Sequence, residues 1–403
     1  MDRAARRLTL SVLLVTGVLL LLGYLLKAQC LADYDADRDR LLCSNDIQVL
    51  YTARGLGEHR LPYVAGRLDA QGRLSGGVVE YPVLTGLFAW AAALPVDDAG
   101  AYLQVTAALL APFGLLTSWL LVRTTGPRAL VWAATPPLVW YSFHNWDLLV
   151  VAATVGAFAA WHAGRPLTSA ALLAVGACLK LWPGFFVATL VLERLRAGDR
   201  AGAWQVAATA AGVFALVNLP FLLVNPAGWW APYAFQQRRA ADVTSNSVWY
   251  WSGEHLSTEQ LNRLVPVLLL LGLAGALAAG WARRGPYPFV QVCGAVLCVF
   301  LLVNKAHSPQ FVLWLLPFFA LVRLRWGWAA AYLVFDTLLY VGLFRWFHDL
   351  AQGRDFGVWK QMLVLGVWGR AAMLVLLYVA LLRARSSLEE PAPPVHVPAH
   401  AAA

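Results

Sequence analysis

The chain has 403 residues, of which 60% are hydrophobic and 13% charged, whereas an ordinary soluble domain carries about 25% charged residues. This balance excludes a soluble globular domain and predicts an all-α polytopic membrane protein. The formal charge of +9 does not call for nucleic acid as a partner. Many of the basic residues lie in short clusters between apolar runs, as they do at the cytoplasmic ends of membrane helices.

Arg3, Arg6 and Arg7 precede a first apolar run over residues 8–27, about twenty residues and so long enough to cross a hydrocarbon core of roughly 30 Å. It lacks a small-residue cleavage site and reads as a retained helix. A long outer segment over residues 28–100 follows. It carries Cys30 and Cys43, whose pairing the sequence leaves open, and then Ser44-Asn45-Asp46-Ile47, Tyr51, Arg54-Gly55 and Glu80-Tyr81-Pro82. Residues 81–94 are apolar but short, and read as a juxtamembrane or re-entrant helix. Crossings are expected over 101–122, 129–141 and 146–161. Residues 167–195 are broken by Lys180-Leu181-Trp182-Pro183-Gly184 into two short helices, a break tolerated at membrane depth only where protein or a water-filled cavity covers it. A further crossing over 204–224 leads to a second outer loop, residues 225–262. Runs at 264–282, 286–303, 311–321, 328–344 and 363–382 complete about twelve crossings. Together these form one transmembrane domain over residues 1–385. The tail, residues 386–403, reads as disordered and cytoplasmic. This topology gathers Arg123, Arg128, Arg194, Arg196, Arg200, Arg283, Arg284, Arg323, Arg325, Arg383 and Arg385 on one side. It brings the unusual polar residues to the other.

Five places on that outer side carry possible chemistry. On a surface helix over residues 44–56, Asp46, Leu50 and Arg54 share one face at i, i+4 and i+8. A carboxylate and a guanidinium so placed suit a general base and a phosphate or sugar binder; the alternative is a solvated face or a helix cap. Asp147 in Asn145-Trp146-Asp147 opens an apolar helix, as its cap, as a functional acid, or as both. Lys180 is either an interface lysine whose stem snorkels or a phosphate contact. The short turn Asn304-Lys305-Ala306-His307-Ser308-Pro309-Gln310 combines a fixed charge, a titratable ring and neutral hydrogen-bonding groups, a mixture that suits a sugar phosphate. The second outer loop, with Trp229, Trp230, Arg238, Arg239 and Trp249, is either an aromatic belt or a contact surface for sugars and anionic lipid headgroups. Cys178, Cys293 and Cys298 lie in apolar runs and read as packing residues. Neither cysteine spacing nor histidine partners suggest a metal site.

These residues in this order resemble the GT-C class of integral-membrane glycosyltransferases, and within it family 87, the polyprenyl-phosphate-mannose-dependent mannosyltransferases. The resemblance rests on Ser44-Asn45-Asp46-Ile47, Tyr51, Arg54-Gly55, Tyr81-Pro82, Asn145-Trp146-Asp147, Lys180-Leu181-Trp182-Pro183, Asn304-Lys305 and Ser308-Pro309-Gln310. It implies a GT-C fold and sugar transfer from a polyprenyl-phosphate donor to a glycolipid or glycan acceptor at the outer face of the plasma membrane. Asp46 would be the base of an inverting reaction, with no required cofactor and a divalent metal neither demanded nor indicated. The donor phosphate would fall to Lys305, His307, Gln310, Arg54 and Lys180. Arg238, Arg239 and Trp249 would meet the acceptor or lipid, and Asn145, Asp147, Tyr51 and Tyr81 would complete the polar site. The family pattern often reads Ser-Asp, whereas Asn45 separates Ser44 from Asp46 here. A lipid-carrier flippase is the alternative, and it would place its charges at mid-membrane depth.

Overall fold

The computed structural model describes residues 3–253, 256–354 and 357–388, and it is all-α apart from a two-residue hairpin. In chain order the longer helices are α1 (Arg3–Ala28), α2 (Asp46–Ala53), α3 (Val83–Ala93), α4 (Ala99–Thr125), α5 (Asp147–His162), α6 (Pro166–Leu179), α7 (Gly184–Arg196), α8 (Arg200–Val224), α9 (Pro226–Arg238), α10 (Thr258–Ala282), α11 (Phe289–Val303), α12 (Val312–Leu321), α13 (Trp326–Ala351) and α14 (Gly357–Arg383). The hairpin pairs β1 (Arg67–Leu68) with β2 (Leu74–Ser75).

Among the described residues, six helical stretches are long and apolar enough to cross a membrane: α1, α4 with its continuation to Ala133, α8, α10, α13 and α14. Their outward faces are greasy. Leu14, Leu216, Leu223, Leu270 and Val375 are all at least half exposed, and only 11% of the most apolar window of α10 is buried. In water such faces would be costly; in lipid they are the ordinary surface, so this is a membrane protein. The shorter helices α5, α11 and α12 are packed among the long ones and are buried on nearly every side. At 1.5 Å rise per residue such helices reach little more than about 20 Å. α5 begins within the protein, at the buried turn Asn145-Trp146-Asp147, and runs out to exposed residues at His162.

Two expected elements differ in detail. The crossing over 129–141 is interrupted between Leu130–Ala133 and Pro137–Tyr141, where Pro136 and Pro137 supply no N–H to the helix ladder. The surface helix stops at Ala53, because Arg54 leaves helical geometry and Gly55 takes a left-handed φ of 64°. The break at Lys180 falls as the sequence predicts, between α6 and α7.

α13 and α14 approach closely at glycines, since a Cβ on Gly366 would stand 2.5 Å from the Leu339 nitrogen, the small-residue contact typical of packed membrane helices. Their interface encloses Asp336 and Arg370, which are fully buried with Arg370 Nη1 3.5 Å from Asp336 Oδ1. At the other end of α12 from Gln310, Arg128 donates to the carbonyls of Phe319, Ala320, Val322 and Leu324. Beside it Val322 bridges Ser386, and Leu388 is buried. Residues 386–388 of the expected disordered tail therefore pack on the bundle, and 389–403 lie outside the described residues.

Candidate active site

Asp46 is the first residue of α2, and an elaborate backbone clamp holds it there. Asn45 caps the helix, its side-chain oxygen accepting from the Gln48 N–H at 2.9 Å, a preferred N-cap arrangement. The Asp46 N–H donates to the His144 carbonyl at 2.8 Å. The Ser44 carbonyl accepts from Lys27 Nζ and from His144 Nδ1, each at 2.9 Å. Tyr34 closes the clamp from the other side, its hydroxyl accepting from the Asn45 N–H at 2.7 Å and donating to the Asn45 carbonyl at 2.8 Å. A disulfide between Cys30 and Cys43 ties the end of α1 to the same segment.

The Asp46 side chain stays 36% exposed. Asn145 Nδ2 donates to Oδ2 at 2.7 Å, and Gln310 Nε2 lies 3.4 Å from the same oxygen. Burial raises the Asp46 carboxyl above its ordinary value, while the Asn145 hydrogen bond and the charges of Lys180, Arg239 and Lys27 oppose that rise. A raised carboxylate open to the surface is the form a general base needs, with proton affinity nearer the working pH.

Behind Asp46 runs a buried polar chain. Asn145 Nδ2 also donates to the Tyr81 hydroxyl at 2.6 Å. Its side-chain oxygen, Oδ1, accepts from Lys180 Nζ at 3.2 Å and from the Trp146 N–H at 2.7 Å. Lys180 in turn donates to Asp147 Oδ1 at 2.6 Å, and Trp314 Nε1 donates to the same oxygen at 2.7 Å. The ammonium also lies over the Tyr81 ring, 4.6 Å from its centroid. Lys180 reaches this place because its own backbone is extended in the break between α6 and α7, so its side chain points inward from the break instead of sideways from a helix. Asp147 Oδ2 is buried with no hydrogen-bond partner among the described residues.

The structure thus brings Asp46, Tyr81, Asn145, Asp147, Lys180 and Gln310 together and spreads the other candidates around them. Arg54 does not share a face with Asp46. It forms a two-pronged pair with Glu80, both contacts at 2.9 Å, and lies over Phe235. Tyr51 packs on Tyr102, with ring centroids 4.8 Å apart, and donates to the Val96 carbonyl. His307 is buried and stacks on Phe311. Burial and the nearby Arg370 charge hold its pKa well below the usual histidine value, so it offers a neutral ring whose Nε2 has no hydrogen-bond partner among the described residues. Trp249 Nε1 donates to the Val303 carbonyl, and its ring lines an apolar groove of about 600 Å³ with Leu302, Trp368 and Val375.

Lys305 has no free proton. It donates to the carbonyls of Gln236 and Arg239, each at 2.9 Å, and to Asn262 Oδ1 at 2.8 Å, with Gln237 O at 3.3 Å. A cation there satisfies the last carbonyls of α9 and the negative end of its dipole. Lys27, Tyr34, His144 and Trp314 are the residues that reading the sequence missed. The available signal for Lys27 was its place, a lone lysine closing the first apolar run at the end away from Arg3, Arg6 and Arg7.

A family model for glycosyltransferase family 87 matches residues 81–304, more than half of the chain. The chain belongs to glycosyltransferase family 87. The match takes in Tyr81, Asn145, Asp147 and Lys180, the buried half of the site, while Asp46 and Gln310 lie outside it. Family 87 membership and the lipid-facing helices together make this a membrane glycosyltransferase. No curated protein matches the chain.

Proposed function

We propose that this family 87 enzyme transfers mannose or a related hexose from a polyprenyl-phosphate carrier to a glycolipid or cell-envelope glycan, at the outer face of the plasma membrane. Asp46 takes the proton of the acceptor hydroxyl. The acceptor oxygen bonds to the anomeric carbon from the face opposite the leaving group, the bond from that carbon to the phosphate oxygen breaks, and the lipid phosphate departs with its electron pair. The sugar inverts. The observation that carries this reading is the state of Asp46, a carboxylate held by Asn145 and Gln310 yet still 36% exposed, where the start of α2 meets the 304–310 turn.

The polar chain behind it supplies a fixed arrangement of dipoles. Asn145 donates to Asp46 while its side-chain oxygen is held by Lys180 and the Trp146 N–H, so the base is oriented before substrate arrives. Such preorganisation is a main source of transition-state stabilisation.

The test is transfer of radiolabelled sugar from polyprenyl-phosphate mannose to a membrane-lipid acceptor pool, with Asp46→Asn beside the unaltered enzyme. The amide keeps the shape and cannot take a proton, so turnover should fall by about 10²–10⁴-fold, the usual worth of general base catalysis, with donor binding retained. Full activity in Asp46→Asn would remove Asp46 from the role. A well-folded enzyme inactive with every sugar offered on the carrier would overturn the reaction itself.

A further inference from the structure

The cations around Asp46 divide into those already neutralised and those that are not. Lys180 is paired with Asp147 at 2.6 Å, Arg54 with Glu80 at 2.9 Å, and Arg370 faces Asp336 at 3.5 Å. Lys27 is spent on the Ser44 carbonyl and Tyr340. Arg238 and Arg239 stand apart from all of these, since neither side chain has a hydrogen bond or ion pair among the described residues.

Both line a cleft of about 350 Å³ between the hairpin turn at Ala70, Gln71 and Gly72 and the end of α9, with Phe235 and Asp242. The one carboxylate on that lining is engaged, Asp242 Oδ1 accepting from the Thr244 N–H and hydroxyl at 2.9 and 2.6 Å. The cleft is therefore net positive before Lys305 is counted, and Lys305 lies directly behind it, bonded to the Arg239 carbonyl. Its size falls at the small end of the range for ligand sites, which suits a headgroup and not a whole lipid. It also adjoins the catalytic chain. Phe235 carries Arg54 on its face at 5.2 Å, Arg54 holds Glu80, and the next residue, Tyr81, meets Asn145. Arg239 is near enough to Asp46 for its charge to act on that carboxylate.

We infer that this cleft is the phosphate subsite of the enzyme, with Arg239 and Arg238 as the phosphate ligands and Lys305 as the residue that positions them. An unpaired arginine fork presented to solvent matches phosphate oxygens in number and geometry. The paired Lys180 and Arg54 could bind phosphate only by abandoning a carboxylate. The inference rests on the proposed transfer for its meaning. The phosphate belongs either to the prenyl carrier or to an anionic acceptor headgroup, and the experiment separates the two.

Purified full-length protein would be titrated with farnesyl phosphate, with dihexanoyl phosphatidylglycerol and with uncharged farnesol, comparing the unaltered chain with Arg239→Ala, Arg238→Ala and Arg239→Lys. Loss of a charge-assisted phosphate contact should weaken binding about tenfold or more in Arg239→Ala, while Arg239→Lys keeps part of the affinity. Farnesol binding and thermal stability should stay unchanged, and so should all titrations of Arg60→Ala, whose arginine pairs with Glu58 on the same loop. Weakening confined to farnesyl phosphate assigns the cleft to the donor, and weakening confined to phosphatidylglycerol assigns it to the acceptor. If neither phosphate probe weakens beyond about twofold in either alanine variant, well below the worth of one charged hydrogen bond, the subsite is refuted. Because binding needs no turnover, a chain that transfers no sugar yet binds phosphate through Arg239 would refute the reaction and leave the cleft standing.

Discussion

Replacing Asn145 by alanine tests whether the polar chain tunes Asp46 or only holds it in place. The Asn145 amide donates to Asp46 Oδ2 at 2.7 Å, and a hydrogen bond to a charged group contributes about 1.5–3 kcal/mol. Asp46 is 36% exposed, so water replaces part of what is lost and the lower end applies. About 1.4 kcal/mol is a factor of ten between the ionised and protonated carboxyl. The sign follows from the donor: the bond favours the ionised form, so its removal lifts an Asp46 pKa that burial already holds high. The assay is the pH dependence of kcat/KM for sugar transfer. Asn145→Ala should move the acid limb to higher pH, costing about tenfold below the limb, while the alkaline plateau stays close to that of the unaltered enzyme. A uniform fall at every pH would show that Asn145 only orients Asp46, and an unmoved profile would refute the electrostatic reasoning altogether.

Asp147→Asn should leave the Lys180 ammonium buried without its counter-charge and lower the melting temperature, since breaking a buried pair costs about 3–5 kcal/mol. The double variant Asp147→Leu with Lys180→Met should recover much of that loss while remaining inactive. A double variant less stable than Asp147→Asn would contradict the charge argument. Burial, with the charge of Lys27 adding to it, pushes the His144 imidazole down to about 3. The unfolded chain therefore binds a proton that the folded one refuses. Stability contributed by neutral His144 is whole above the unfolded value near 6.5 and declines as pH falls towards 3. Thermal melts between pH 7 and pH 4 should show that decline, flattened in His144→Gln, and equal slopes would argue against it. Reducing Cys30–Cys43, which closes a separation of 13 residues, should destabilise the segment before Asp46 by about 2–4 kcal/mol. Proteolysis within residues 28–100 under reductant would report this, and unchanged cleavage rates would count against the clamp.

Much of the architecture was legible because the bilayer enforces it. Length and apolarity gave the long helices, and the Lys180-to-Gly184 break was visible because Pro183 and Gly184 fall side by side, whereas isolated prolines such as Pro112 and Pro220 stay inside α4 and α8. The Arg54 position misled because i, i+8 spacing assumes an unbroken helix, while Gly55 permits the left-handed turn that ends it. Asp147 and Lys180 were each picked out, yet their 2.6 Å contact was not. They are 33 residues apart, on different helices, and no periodicity records which side chains meet. Lys305 shows the same limit from the other direction. A lysine in a polar turn reads as a phosphate binder, and only the fold reveals three acceptors already waiting for its protons.

The four carbonyls gathered by Arg128 fasten the end of α12 that lies away from Asp46. Beside it the 386–388 segment is stitched to Leu321 and Val322. One guanidinium thus makes that end of the bundle an anchored foundation. Movement in the bundle is then left to the opposite rim, where turns and caps, rather than packed helices, carry Asp46, Asn145 and Gln310.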